Sequence, residues 1–205
     1  IFKRYRFIGF WFFGFTSVAL GIMMTPFITL WIGKKMIVAP IVVNLLVMDY
    51  YMIGQRICLN NIKSAAGVYE PDKYVALLQA VVNLIASIGL VKVIGLPGVY
   101  WGTLIQGTLS SVLKPVLSYK ILFDRSSKYY FIDSIKYFMA VVIAYGICYG
   151  LQKIIMLQVT ITSFCIMVII VVVIPNILFC ILFFRREEFK YLLSLIRNFI
   201  KRKNK

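Results

Sequence analysis

The sequence contains no histidine. That removes the commonest general base and the commonest metal ligand. Its four cysteines, Cys58, Cys148, Cys165 and Cys180, form no CxxC pair, and three lie inside apolar runs. They read as buried free thiols rather than as a disulfide or a metal site. No nucleophile sits beside a base, and no glycine-rich loop follows a strand. The nearest glycine pattern, GLPGVYWGT from Gly95, follows an apolar helix, which is the wrong context for dinucleotide binding. The sequence therefore reads as a non-enzyme with no cofactor. Alternation of apolar and polar residues is also missing, so strands are not expected. No small-residue cleavage site follows the first apolar run, which argues against a signal peptide. The chain begins at Ile1 inside a basic segment, and the expectation is a piece lacking its N-terminal part.

What is present in quantity is apolar length. The hydrophobic fraction is 61% and the mean hydropathy +0.90, against about half apolar for soluble domains. Six runs approach the roughly 20 residues that a hydrocarbon core of about 30 Å requires. They are Phe7 to Trp31, Val38 to Ile57, Tyr74 to Val93, Val99 to Tyr119, Tyr137 to Leu157 and Val159 to Phe184. A bilayer offers no partner to free backbone groups, so these runs must be helices. The predicted fold is all-α, a polytopic membrane bundle of about six transmembrane helices over residues 1–184. A basic tail follows over residues 185–205.

A net charge of +16 would suit nucleic acid, but the charges gather at the ends of apolar runs. Eighteen Lys and Arg fall on the side holding both termini. Four fall on the other side: Lys34, Lys35, Lys92 and Lys153. Cytoplasmic loops carry the excess of positive charge, so both termini are predicted in the cytoplasm, with no nucleic-acid partner. In the tail, Phe189, Leu192, Leu193, Ile196, Phe199 and Ile200 recur at helical spacing. Arg186, Lys190, Arg197 and Lys201 fall elsewhere on the wheel. This predicts a helix on the inner membrane surface, in contact with anionic lipid. Pro26 and Pro175 lie deepest within their helices and are the better hinge candidates. Gly146 and Gly150 form a GxxxG that could bring two helices close.

Polar groups inside a membrane mark cavities or partners. Asp49 is the acidic residue well inside a span, and Lys114 is the basic one. Counted back from Arg56 and Lys120, both lie about 10 Å inside the same boundary. An interhelical ion pair is one expectation; snorkelling of Lys114 to the surface is the other. Asn44, Gln79, Asn83, Gln106 and Asn176 add neutral groups. Gln79 and Asn83, one turn apart, make the third helix the candidate for a groove-facing stripe.

Several segments resemble the C-terminal part of Wzx-type polysaccharide flippases, within the multidrug/oligosaccharidyl-lipid/polysaccharide exporter superfamily. These are PFITLWIGKK, GQR with Arg56, IKSAAG with Lys63, EPDKY, AVVNLIASIGLVKVIGLPGVYWGT and KPVLSYKILF with Lys114. The resemblance covers about residues 7 to 125; the last two helices are similar only in hydropathy. It implies one lobe of a two-lobe transporter in the cytoplasmic membrane, with an N-terminal lobe of the same protein as partner. The implied cargo is undecaprenyl-diphosphate-linked oligosaccharide for O-antigen (lipopolysaccharide) or capsule synthesis. Arg56, Lys63 and Lys114 are then the cations placed to meet a diphosphate, although Arg56 and Lys63 also suit ordinary positive flanks. Asp49, Gln79 and Asn83 complete the expected cavity lining. Asp49 stands where the family pattern leads one to expect a neutral polar residue. A multidrug or cation antiporter of the same superfamily is the alternative, and Asp49 is its one candidate ion site.

Overall fold

The computed structural model describes residues 1–203, without the side chains of Pro71, Ile196 and residues 198–203. Seven α-helices follow one another: α1 (Phe2–Trp31), α2 (Pro40–Ala65), α3 (Glu70–Ile94), α4 (Leu96–Ser118), α5 (Lys128–Ile155), α6 (Ile161–Phe183) and α7 (Glu187–Lys203). Among the described residues there is no strand. The chain is an all-α bundle, as the apolar runs predicted.

Five helices, α1, α2, α3, α5 and α6, are long and apolar enough to cross a membrane. The apolar runs predicted six. α4 has the length, 23 residues or about 34 Å. Its Thr103, Gln106, Thr108, Ser110, Ser111 and Lys114 lower its hydropathy below that of its neighbours.

Two helices run further than expected. α2 continues nine residues past Arg56 and stops only near Gly67. There a positive φ of 71° lets Val68 and Gly67 donate back to the carbonyls of Lys63 and Ser64, a glycine-terminated helix end. Arg56 is therefore an interior residue of α2, not its closing flank. α5 begins at Lys128 rather than Tyr137, so most of the segment between the fourth and fifth apolar runs is helical. Ahead of it lie one π-helical turn, Tyr119–Phe123, ended by Asp124 at φ 45°, and a short non-helical turn over residues 124–127.

α1 is the hub. It packs against α2, α5, α6 and α7, and the paired residues give the directions. Phe13 and Thr16 meet Tyr50 of α2, and Phe2 meets Cys58, so α1 and α2 are antiparallel. Arg6 meets Tyr130 and Ile22 meets Gln152, so α1 and α5 are parallel. Trp11 donates to Asn176, and Phe27 approaches Phe164, so α1 and α6 are antiparallel. α4 runs antiparallel to α3, on which it packs most extensively, and also packs on α2. The direction reverses at each connection from α1 through α6, and α4 keeps its place in that alternation.

Between helices in lipid the hydrophobic effect gives little attraction, so close fit and hydrogen bonds must hold the bundle. An aromatic cluster supplies fit. Phe10 stacks on Tyr137 at 4.2 Å, and Phe7, Phe179 and Phe183 close around them. Glycines supply approach. Gly98 and Gly102 seat α4 on the backbone of α3 at Leu90 and Ser87, and Gly54 of α2 lies under the Phe13 ring. The expected GxxxG pair does not take part: nothing lies within 4 Å of a Cβ built at Gly146 or Gly150. Both point away from the neighbouring helices of this chain.

Pro26, Pro115 and Pro175 sit inside helices that continue through them. Pro40 opens α2, where its missing N–H costs nothing. All four cysteines are free thiols; Cys58 and Cys148 are buried as expected, whereas Cys165 and Cys180 are exposed. Their face of α6 meets no other helix, which apolarity alone did not reveal.

The tail differs from a free surface helix. Phe189 is 9% exposed and stacks on Trp11 at 5.6 Å, Leu192 packs on the same core, and the Arg4 guanidinium lies 4.6 Å from the Tyr191 ring centre. The first two turns of α7 are thus docked on α1. Leu193 is exposed. The expected apolar contacts of Ile196, Phe199 and Ile200 lie outside the described residues.

A charged seam between α2 and α4

Asp49, Arg56 and Lys63 are spaced by seven, so all three fall on nearly one face of α2. Gly107 and Lys114 of α4 have the same spacing. The two helices lie alongside in parallel, and the two faces meet. Arg56 is 7% exposed, and its Nη1 donates to the Gly107 carbonyl at 2.9 Å. The lack of a side chain at Gly107 makes that approach possible, since a Cβ there would stand 3.0 Å from Asp49 Oδ1. The same carbonyl accepts from the Ser111 hydroxyl at 2.9 Å. Arg56 lies within Coulombic reach of Asp49. Asp49 Oδ1 is buried and has no hydrogen-bond partner.

Two turns further along, Lys63 is 5% exposed and forms an ion pair with Asp72 at the start of α3. Lys114 stands within Coulombic reach of both Lys63 and Arg56. It is half-buried and enters none of the three ion pairs found among the described residues. The seam thus holds three cations and two acids. Asp49 faces Arg56, Asp72 binds Lys63, and Lys114 is left with positive neighbours.

The expected Asp49–Lys114 ion pair is not formed. Equal depth would require α2 to end at Arg56, and it does not end there. Lys114 lies seven residues beyond Gly107, about 10 Å further along the axis, level with Lys63 rather than with Asp49.

The neutral stripe on α3 is placed elsewhere. Ser87 donates to Asn83 Oδ1 at 3.0 Å, and Gln79 Nε2 is buried without a partner. α3 packs on α4 and carries an exposed apolar face at Leu77, Leu84, Ile85 and Val93. No hydrogen bond or ion pair joins Gln79 or Asn83 to the seam among the described residues. The six candidates therefore separate into four on the α2–α4 seam and two on α3.

Arg6, by sequence no more than a positive flank, is 5% exposed. Its guanidinium lies 3.7 Å from the Tyr130 ring centre and 5.5 Å from that of Tyr137. Its Nη2 donates to the Tyr130 carbonyl and the Ser134 hydroxyl. No carboxylate pairs with it among the described residues. Nearby, Arg186 binds Asp133 at 2.8 Å and donates to the Tyr137 hydroxyl, tying the start of α7 to α5. The hydrogen-bond partners of Arg6 are 124 and 128 residues away, so no local pattern announces them. The one hint is Tyr130 and Tyr137 at heptad spacing on α5.

No family model, curated protein or solved structure matches the chain.

Proposed function

We propose that this chain is one lobe of a membrane transporter that flips a lipid-linked oligosaccharide across the cytoplasmic membrane for polysaccharide synthesis. The cargo in this reading is the undecaprenyl-diphosphate-linked repeat unit of an O-antigen or capsule. The process is alternating access, without chemistry, and both termini face the cytoplasm. The observation that carries the reading is the half-buried Lys114 beside Arg56 and Lys63, outside every ion pair among the described residues. A half-buried cation with cationic neighbours and no ion pair of its own is costly alone in a membrane bundle and favourable once an anion enters. A diphosphate is such an anion, and charge-assisted contacts to it are strong. The seam also lies within the part of the chain that resembles the flippases.

The test is complementation. The full-length protein containing this chain should restore surface polysaccharide in a strain lacking its own flippase. At matched membrane levels, Lys114→Gln and Arg56→Ala should each impair export more than Lys201→Ala. A phosphate contact is worth about 1.5–3 kcal/mol, against about 1 kcal/mol for a headgroup contact. Equal export by all three variants would remove the seam from transport.

A second reading has its own observation. The buried, unpartnered Asp49 Oδ1 suits a cation-coupled multidrug antiporter. Failure to complement, with drug efflux abolished by Asp49→Asn, would select that reading.

A further inference from the structure

A second polar site lies away from the charged seam, where α2 and α5 lean on α1 without closing on each other. Two hydrogen bonds and one ring pair join the two helices among the described residues. Tyr130 donates to the Gln55 carbonyl at 3.4 Å, the Tyr51 and Phe138 rings approach to 6.0 Å, and Tyr145 donates to Asn44 Oδ1 at 3.0 Å. The Asn44–Tyr145 bridge divides the groove between them. On one side lies a chamber of about 580 Å³, within the roughly 300–1,000 Å³ usual for small-ligand clefts. On the other lies a smaller, mostly apolar chamber of about 190 Å³. Asn44 and Tyr145 line both.

The free hydrogen-bonding groups define the ligand. Gln152 Nε2 is committed to the Ile22 carbonyl, which leaves its Oε1 as an acceptor. Asn44 Oδ1 is committed to Tyr145, which leaves its Nδ2 as a donor. Thr25 gives its carbonyl to Thr29 and keeps its hydroxyl. In the smaller chamber, Ser17 Oγ and Tyr51 OH are buried without partners, their residues 2% and 5% exposed. Orphaned hydroxyls in a membrane interior are expensive unless something binds them. The rings of Tyr145 and Tyr149 lie parallel, 8° apart with centroids at 6.2 Å, and Lys153 Nζ stands 4.8 Å from the Tyr149 ring centre.

Donors, acceptors and hydroxyls beside the exposed Tyr149 side chain match one chemistry, a sugar ring. Each sugar hydroxyl both donates and accepts, and the C–H face of a pyranose lies against a tyrosine. A hydrocarbon chain would leave Thr25, Asn44 and Gln152 unused. A bare anion would use Lys153, Asn44 Nδ2 and the Thr25 hydroxyl, but it would leave the Gln152 acceptor and the Tyr149 ring unused. We propose that the α2–α5 groove is a saccharide-binding site, with the ring against Tyr149 and its hydroxyls on Thr25, Asn44 and Gln152. That this sugar is the glycan of the cargo rests on the transport reading above; the ligand class does not.

The experiment uses the full chain in lipid nanodiscs, with N,N′-diacetylchitobiose and maltose as probes, read by saturation-transfer NMR. Transfer to the ring protons of at least one sugar is expected. Tyr149→Ala and Thr25→Val should each weaken apparent affinity by up to about tenfold, the worth of one neutral contact. Tyr74→Ala, exposed on α3, should change nothing. Tyr149 is itself exposed, so its loss leaves the fold intact, and an unchanged melting temperature checks this. No transfer from either sugar, or transfer that survives both variants, overturns the proposal. So does a doxyl-labelled phospholipid that keeps broadening a fluorotyrosine signal at position 149 when sugar is present, because the groove then holds lipid. A protein that complements a flippase strain but shows none of this sugar contact loses only the groove. One that binds sugar here but never restores export loses only the transport reading.

Discussion

Gln152 of α5 donates its side-chain amide to the Ile22 carbonyl of α1 at 2.7 Å. Ile22 lies four residues before Pro26, and proline has no N–H to give back to it. The carbonyl that the proline releases is thus taken up across the helix interface. The neighbouring helix thus contacts α1 at the turn that Pro26, a hinge candidate by sequence, opens.

Gln152→Leu should therefore destabilise the bundle by about 0.6–1.7 kcal/mol, from the average to the upper end for interhelical hydrogen bonds in membranes. Combined with Pro26→Ala, the loss should shrink, because an alanine at that position restores the N–H that the Ile22 carbonyl needs. A double-mutant cycle of unfolding in detergent measures this coupling. Additive effects would mean that the carbonyl is satisfied in some other way.

Arg6 predicts a larger cost. Its guanidinium combines a desolvated ring contact, worth about 2 kcal/mol, with charge-assisted hydrogen bonds. Arg6→Met should lower stability by about 2–3 kcal/mol and loosen α1 from α5. Arg6→Lys should recover only part, because a point charge cannot stack and fork together. Thermal unfolding of the three proteins checks the order.

The glycines separate by position. Gly98→Leu should disrupt the α3–α4 hairpin, because its Cβ would meet the Leu90 backbone, which has little room to move. Gly146→Leu should be nearly neutral, because its Cβ would meet nothing. Disulfide cross-linking between cysteines placed at Ser87 and Val99 should fail in the first variant and persist in the second.

Topology is open to direct labelling. With Cys165 and Cys180 replaced, a cysteine at Lys34 should react with an impermeant maleimide from outside the cell. One at Lys128 should react only after the membrane is opened. The reverse pattern would invert the bundle.

Apolar length was enough to establish the helical class and the places of the helices, because a bilayer leaves the backbone one solution. The seven-residue spacing that puts Asp49 and Arg56 on one face was equally legible, since it follows from helix geometry alone; Lys63 joins that face only because α2 runs on to Ala65. Where polar helices stop was not legible. α2 passes through Asn60 and Asn61 while Cys58, Leu59 and Lys63 are buried, and that burial comes from other helices, outside any local window. It took the packed bundle to bring Arg56 to the Gly107 backbone, to give Lys63 to Asp72 and to leave Lys114 among cations. The same packing carries Arg6 from a surface flank into a tyrosine cage 124 residues away. Helix formation is a local matter of hydropathy and hydrogen bonds. The choice of partner depends on which helices lie side by side and in what register, and that is a property of the assembled chain.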